Sequence, residues 1–116
     1  MASQNENGFK SFLASGAISA YRIVKLQADG TITAAADNTK GIGVTQQDFA
    51  DAEYGSVKLW SAPGTFMVAA SGSAITAATA YGTITGGFVG VVTTDRFTAL
   101  NSAVASNGIV VEIVQV

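Results

Sequence analysis

The chain repeats itself, and that repetition limits its folds more than any single motif does. Residues 15–20 (Ser-Gly-Ala-Ile-Ser-Ala) answer to residues 71–77 (Ser-Gly-Ser-Ala-Ile-Thr-Ala). Residues 29–33 (Asp-Gly-Thr-Ile-Thr) answer to 81–85 (Tyr-Gly-Thr-Ile-Thr), and 42–45 with Asp48 and Phe49 answer to 89–93 with Asp95 and Phe97. Residues 55–59 answer to 108–113. Two copies are too few for a solenoid. Half of a 116-residue chain cannot bury much surface alone, so the halves are expected to complete one shared core in a closed or nearly closed β structure.

The local pattern fits strands. Residues 21–26 (Tyr-Arg-Ile-Val-Lys-Leu) put Tyr21, Ile23 and Lys25 on one face and Arg22, Val24 and Leu26 on the other, an imperfect alternation. The Ala28-Asp29-Gly30 break returns the chain into Thr31-Ile32-Thr33, which predicts a hairpin. Further strands are expected over residues 41–45, 55–60 and 65–69, with Pro63-Gly64 turning the chain between the last two. The run 108–116 is the most apolar and is expected to lie centrally in a sheet, so that truncating it unfolds the protein.

Two segments depart from this rhythm. Residues 95–105 carry Phe97, Leu100 and Val104 at helical spacing, begin after Thr94 and end before Asn107-Gly108, which predicts a short helix. Residues 46–53 are its counterpart and predict a shorter helical turn. The expected fold is therefore mainly β: a small closed or nearly closed β-barrel or β-sandwich of two similar halves, with one or two short helical turns. Residues 1–14 read as a flexible arm, polar and small up to Gly8 with Phe9, Phe12 and Leu13 behind as its apolar anchor. Residues 15–116 read as a single β domain with the repeat at 15–60 and 71–115.

Composition narrows the chemistry. A hydrophobic content of 48% with a net charge of −2 argues for a folded chain. With no Cys and no His there is no disulfide framework or thiolate nucleophile, and the commonest general base and metal ligand is missing. Six scattered cations make no basic stripe for a row of phosphates, so no direct nucleic-acid binding is expected. The best apolar run, residues 88–92, is far shorter than a membrane span. Residues 11–20 imitate a signal peptide's apolar region only faintly, because Glu6 precedes them and Lys10 is the sole cation; they read as mature sequence.

Asp48, Asp51 and Glu53 crowd one loop, yet an EF-hand register started at Asp48 puts Glu53 where the turn glycine belongs and Leu59 where the final glutamate belongs. A solvated loop is the expected reading. Lys25, Lys40 and Lys58 read as strand or loop residues, since nothing beside them suggests a depressed pKa. Gly86-Gly87-Phe88-Val89-Gly90 lacks the surrounding strand-to-helix unit of a dinucleotide site and reads as turn chemistry. No catalytic, cofactor-binding or metal-ligating residues are therefore expected, and no enzyme activity. Trp60, Phe66 and Tyr54 are expected in the core, with an exposed partner-anchoring patch as the other reading.

Residues 16–25 (Gly-Ala-Ile-Ser-Ala-Tyr-Arg-Ile-Val-Lys), the recurrent Ile-Gly-Val and Val-Gly-Val strands, and residues 103–113 (Ala-Val-Ala-Ser-Asn-Gly-Ile-Val-Val-Glu-Ile) resemble the small capsid decoration, or cement, proteins of tailed bacteriophages. The likeness covers roughly residues 15–115 and carries no catalytic signature. It implies a non-enzymatic virion protein, made in the host cytoplasm and seated on the outer capsid surface. Its partner would be the major capsid protein, gripped by a homo-trimer, with no cofactor, small-molecule substrate, direct nucleic acid or membrane. The capsid-contact candidates are Phe9, Phe12 and Leu13 on the arm, with Trp60 and Phe66. The alternative is a tail, fibre or surface-array subunit that polymerises through strand edges. A third reading, a glycan-binding β-module, suffers from having one Trp and three Tyr to stack on sugars.

Overall fold

A computed structural model of the chain describes residues 8–36, 41–62, 65–71, 80–84, 86–90, 97–100 and 107–115. The first half contributes strands β1 (Phe9–Leu13), β2 (Ile23–Leu26), β3 (Ile32–Ala34), β4 (Gly43–Thr45) and β5 (Tyr54–Leu59). The second contributes β6 (Phe66–Ser71), β7 (Ala80–Ile84), β8 (Phe88–Gly90), β9 (Phe97–Ala99) and β10 (Asn107–Gln115). The first five form a sheet in the order β1-β5-β4-β2-β3, and the second five close into a barrel in the order β10-β6-β8-β7-β9.

Started at β6, that barrel reads β6-β10-β9-β7-β8, the same walk as the first sheet. Each antiparallel pairing of the first half recurs: β1 with β5 as β6 with β10, β4 with β5 as β9 with β10, β2 with β4 as β7 with β9, and β2 with β3 as β7 with β8. The closing contact recurs too. Ala14, just beyond β1, makes a parallel bridge to Ile32, and Ala70 of β6 makes one to Val89 of β8. The duplication is therefore structural, with a corrected register. The segment 29–33 matches β8 rather than 81–85, and 42–45 matches β9 rather than 89–93, because short Gly-, Thr- and Ile-rich strands of one composition align to the wrong neighbour as easily as to the right one. β5 does match β10 as a strand, but the ladders set Val57 against Ile113 where the sequence repeat aligns Leu59 with it.

The β2–β3 hairpin turns through residues 27–31, where Gln27 N–H donates to Thr31 O at 2.8 Å and Gly30 N–H to Gln27 O at 2.9 Å. The Asp29 carboxylate accepts the Thr31 N–H at 3.0 Å and its hydroxyl at 2.6 Å, the local bonding that favours Asp in tight turns. Alternation then distributes the buried faces. Val24, Ile32, Val57 and Phe49 pack inside the first sheet with Ala14 and Ile18. Ile23 and Val44 face the other way and join Phe66, Val68, Tyr81, Val89, Phe97 and Val111 in a larger core. This explains the imperfect alternation of residues 21–26: β2 is covered on both faces, so Ile23 and Val24 are both fully buried. The halves share one core, as expected, but the first half also keeps a core of its own.

Backbone bonds join the halves. Ile23 N–H donates to Gly87 O at 2.8 Å, Ala69 N–H to Tyr21 O at 2.9 Å, and Gly86 and Gly87 N–H both reach Ala35 O at 3.1 Å. Across the same junction the Arg22 guanidinium lies 4.4 Å from the Phe88 ring centroid.

Three expectations change. Phe9–Leu13 is not part of a flexible arm but strand β1, paired along its length with β5; backbone pairing holds it there with only Phe12 and Leu13 half-buried, and residues 1–7 lie outside the described residues. The helix expected over 95–105 is contradicted at Phe97–Ala99, which is strand β9 held between β7 and β10; the rest of that segment lies outside the described residues, apart from Leu100. Residues 46–53 form no helical turn, because Phe49 bridges Ile18 instead. Among the described residues there is no helix. The final strand, β10, is flanked by β6 and β9, as expected of the most apolar run.

Candidate docking face

The candidate contact residues separate into two groups. In the β1–β5 ladder, Phe9 faces Lys58 and Leu13 faces Tyr54. Phe9 is 38% exposed, Tyr54 is 69% exposed, and Phe12 and Leu13 are half-buried, Phe12 against the core of the first sheet. Trp60 and Phe66 belong elsewhere. Their rings meet edge to face with centroids 4.8 Å apart, Trp60 also lies 5.1 Å from Phe97, and its indole N–H donates to Gly41 O at 3.2 Å. Phe66 is 3% exposed. As a docking residue it is corrected to a core residue: a ring so enclosed offers no area to a partner.

Lys58 links the groups. Its ammonium donates to Thr65 O at 2.5 Å and lies 4.7 Å from the Phe66 centroid and 6.0 Å from that of Phe9. Its stem covers apolar surface while its charge is satisfied, as long cationic side chains commonly do.

Leu26, which sequence reasoning missed, and Tyr54, which it expected in the core, complete the face on the first half. Leu26 is 50% exposed at the end of β2. With Tyr54, β1 and the β2–β3 turn it borders an open groove of about 350 Å³. Leu26 had a signal in the sequence, since it is an apolar residue next to a polar turn, but alternation placed it with the core. Tyr54 was not missed but expected first in the core, with an exposed patch as the other reading; at 69% exposed it is corrected to that second reading, because its place at the start of β5 leaves the ring uncovered. Met67 at 43% and Leu100 at 44% are the other large exposed apolar side chains among the described residues. Both lie on the second barrel, Met67 directly across the ladder from Glu112 and Leu100 through its N–H bond to Glu112 O at 2.8 Å.

The charged groups near the face have structural roles. Burial lowers the Arg22 pKa, with the nearby Asp48 charge acting the other way, and its guanidinium donates to Ala20 O at 3.1 Å. The Asp29 carboxyl is held below the usual aspartate value, mainly by the Thr31 hydroxyl and then by the Thr31 N–H. The acidic loop is a set of backbone clasps: Asp48 accepts the Ala20 N–H at 2.8 Å, Asp51 the Gly16 N–H at 2.8 Å and Glu53 the Ala50 N–H at 3.0 Å. Asp48 and Asp51 tie loop 46–53 to loop 15–20, and Glu53 closes a turn within loop 46–53. Among the described residues no three of His, Cys, Asp or Glu stand together as a metal site needs. What the face presents is apolar area beside a strand edge, the chemistry of protein–protein contact.

No family model and no curated protein matches the chain. Among solved structures it is similar to the crystal structure of the N base of head fiber gp8.5 in bacteriophage phi29. The two share 23% sequence identity with a TM-score of 0.74, over 93% of this chain and 94% of that one. Such a likeness, at that identity, establishes a common fold.

Proposed function

We propose that the chain is a structural protein of a tailed-phage head, a decoration protein that docks on the outer surface of the assembled shell and reinforces it. One observation carries the reading: the whole fold, both halves included, is similar to the base of a phage head fiber. The resemblance of residues 15–115 to capsid cement proteins supports the same role from the sequence. The partner would be the major capsid protein, engaged by a homo-trimer so that several weak contacts act together, with no catalytic step.

The second reading is a subunit at the foot of a head fibre, favoured by that same structural neighbour being the base of a head fiber. Incubating the purified chain with mature and immature heads, then imaging the particles, separates the two. Density that protrudes at a repeated lattice position and ends with the mass of this chain supports decoration. Density that continues into a fibre when the remaining virion proteins are added supports the second reading. Bare shells reject both.

A further inference from the structure

The first sheet and the barrel of the second half differ at one corner. In the barrel, Phe66 faces Ile113 across the ladder and Thr83 faces Val89 beside the β6–β8 contact; they are 3% and 0% exposed. The same ladder positions in the first half hold Lys10, which faces Val57, and Leu26, which faces Ile32. Lys10 is exposed and Leu26 is half exposed. The second half closes into a barrel, whereas the first sheet has β1 and β3 as its two ends, bridged among the described residues only between Ala14 and Ile32. The groove of about 350 Å³ lies along that opening.

The wall of the groove is an unused strand edge. Gly8 O accepts from Leu59 N–H at 2.7 Å and Ala14 N–H donates to Glu53 O at 2.9 Å. By the alternation of an antiparallel ladder, Gly8, Lys10, Phe12 and Ala14 therefore direct their backbone groups at β5. Ser15 N–H points the opposite way, to Ile32 O at 2.8 Å. Ser11 must then turn its N–H and C=O toward the groove, and among the described residues nothing meets them.

We infer that this open seam receives a single extended segment of the shell subunit, which adds to the β1 edge by backbone hydrogen bonds and seats an apolar side chain between Phe12 and Leu26. The inference rests on the proposed docking to a phage head. Charge refines the partner. The Lys10 ammonium has no ion-pair partner among the described residues, while the Asp29 carboxylate across the groove is engaged by Thr31, so a carboxylate beside the apolar anchor matches the β1 side. A folded second copy does not fit, because any strand of its barrels brings its ladder neighbours with it, and the seam narrows to contact at Ala14 and Ile32.

The test uses the full chain and isolated heads of the phage that encodes it. Ser11→Pro removes the outward N–H without touching the ladder to β5, and Leu26→Asp spoils the anchor seat at an exposed position; thermal melts confirm that both fold. Wild-type chain bound to heads should show slowed hydrogen exchange at Ser11, and each variant should lose head occupancy by about ten-fold or more. Binding by the variants at the wild-type level overturns the seam inference and leaves head docking standing. Failure of the wild-type chain to bind heads overturns both. Self-association of the free chain that Ser11→Pro abolishes makes a second copy the occupant, and this also overturns the inference.

Discussion

Lys10 of β1 and Phe66 of β6 hold equivalent ladder positions, one across from Val57 and the other across from Ile113, yet Lys10 is exposed and Phe66 is 3% exposed. The difference comes from what covers them. Trp60 packs 4.8 Å from Phe66 and closes that corner of the second barrel, and nothing comparable lies over Lys10 among the described residues. Phe66→Ala should therefore cost about 3–5 kcal/mol of stability, and Lys10→Ala less than about 0.5 kcal/mol. Urea unfolding followed by Trp60 fluorescence measures both; equal midpoints for the two variants would show that the corners are alike.

Threonine to valine should act with opposite sign in the two halves. The Thr45 hydroxyl is fully buried, donates to Ser19 O at 2.8 Å and accepts the Arg22 N–H at 3.0 Å, fixing the bend that carries Tyr21 at a φ of 61°. Thr45→Val strands both partners and should cost about 2 kcal/mol. Thr83 is as deeply buried, but its hydroxyl meets no partner among the described residues. Thr83→Val exchanges an unsatisfied oxygen for a methyl group of similar size and should leave stability unchanged or raise it by about 1 kcal/mol. Parallel thermal melts decide the matter, and a loss at Thr83 comparable to that at Thr45 would mean that its hydroxyl has a partner.

Much of the strand content was legible because strands such as β2, β3 and β4 are short and carry Ile, Val or Thr, with Asp29-Gly30 turning the chain between the first two. The existence of a repeat was legible for the same reason, and that is also why its register was not: strands of such similar composition carry too little information to choose between adjacent partners. The expected helix failed at Phe97. Phe97, Leu100 and Val104 have helical spacing, but Phe97 is fully buried in the barrel, paired with Tyr81 on one side and Gln115 on the other; tertiary pairing overrides a three-residue pattern. Of the candidate site, β1 was visible as an apolar cluster. Leu26 was not, and Tyr54 was expected in the core before an exposed patch, since the exposure of both depends on where the first sheet stays open, a property of the assembled halves.

Glycine to alanine should distinguish the junction from the hairpin. Gly87 has a φ of +81°, and a Cβ there would stand 2.4 Å from Ile23 O, within the bond by which Ile23 N–H reaches Gly87 O. Gly30 has a similar φ of +87° but open space around it. Gly30→Ala should thus cost only the left-handed backbone penalty of about 1–2 kcal/mol, while Gly87→Ala adds a backbone clash that parts the halves. The sharper readout is spectroscopic: Gly87→Ala should shift the amide resonances of Ile23, Ala35 and Ala69 together, and Gly30→Ala only those of residues 27–31. Shifts confined to the immediate neighbours of Gly87 would argue against a coupled junction.

The β2–β3 turn should respond to acid through Asp29. Its carboxyl titrates below the usual aspartate value because the Thr31 hydroxyl and N–H bond its ionised form. The group binds fewer protons folded than unfolded, so its contribution is complete above the ordinary aspartate pKa of about 3.9 and is lost as pH falls through the lower folded value. Thr31→Val removes the hydroxyl, the larger of the two causes, and keeps the N–H. The Asp29 midpoint, read from its side-chain carboxyl resonance, should move upward but stay short of the unfolded value. In the wild-type chain, the amide of Thr31 should begin to exchange faster as the carboxyl protonates, at a lower pH than in Thr31→Val. An Asp29 midpoint that ignores the substitution would mean that the turn is held by its backbone bonds alone.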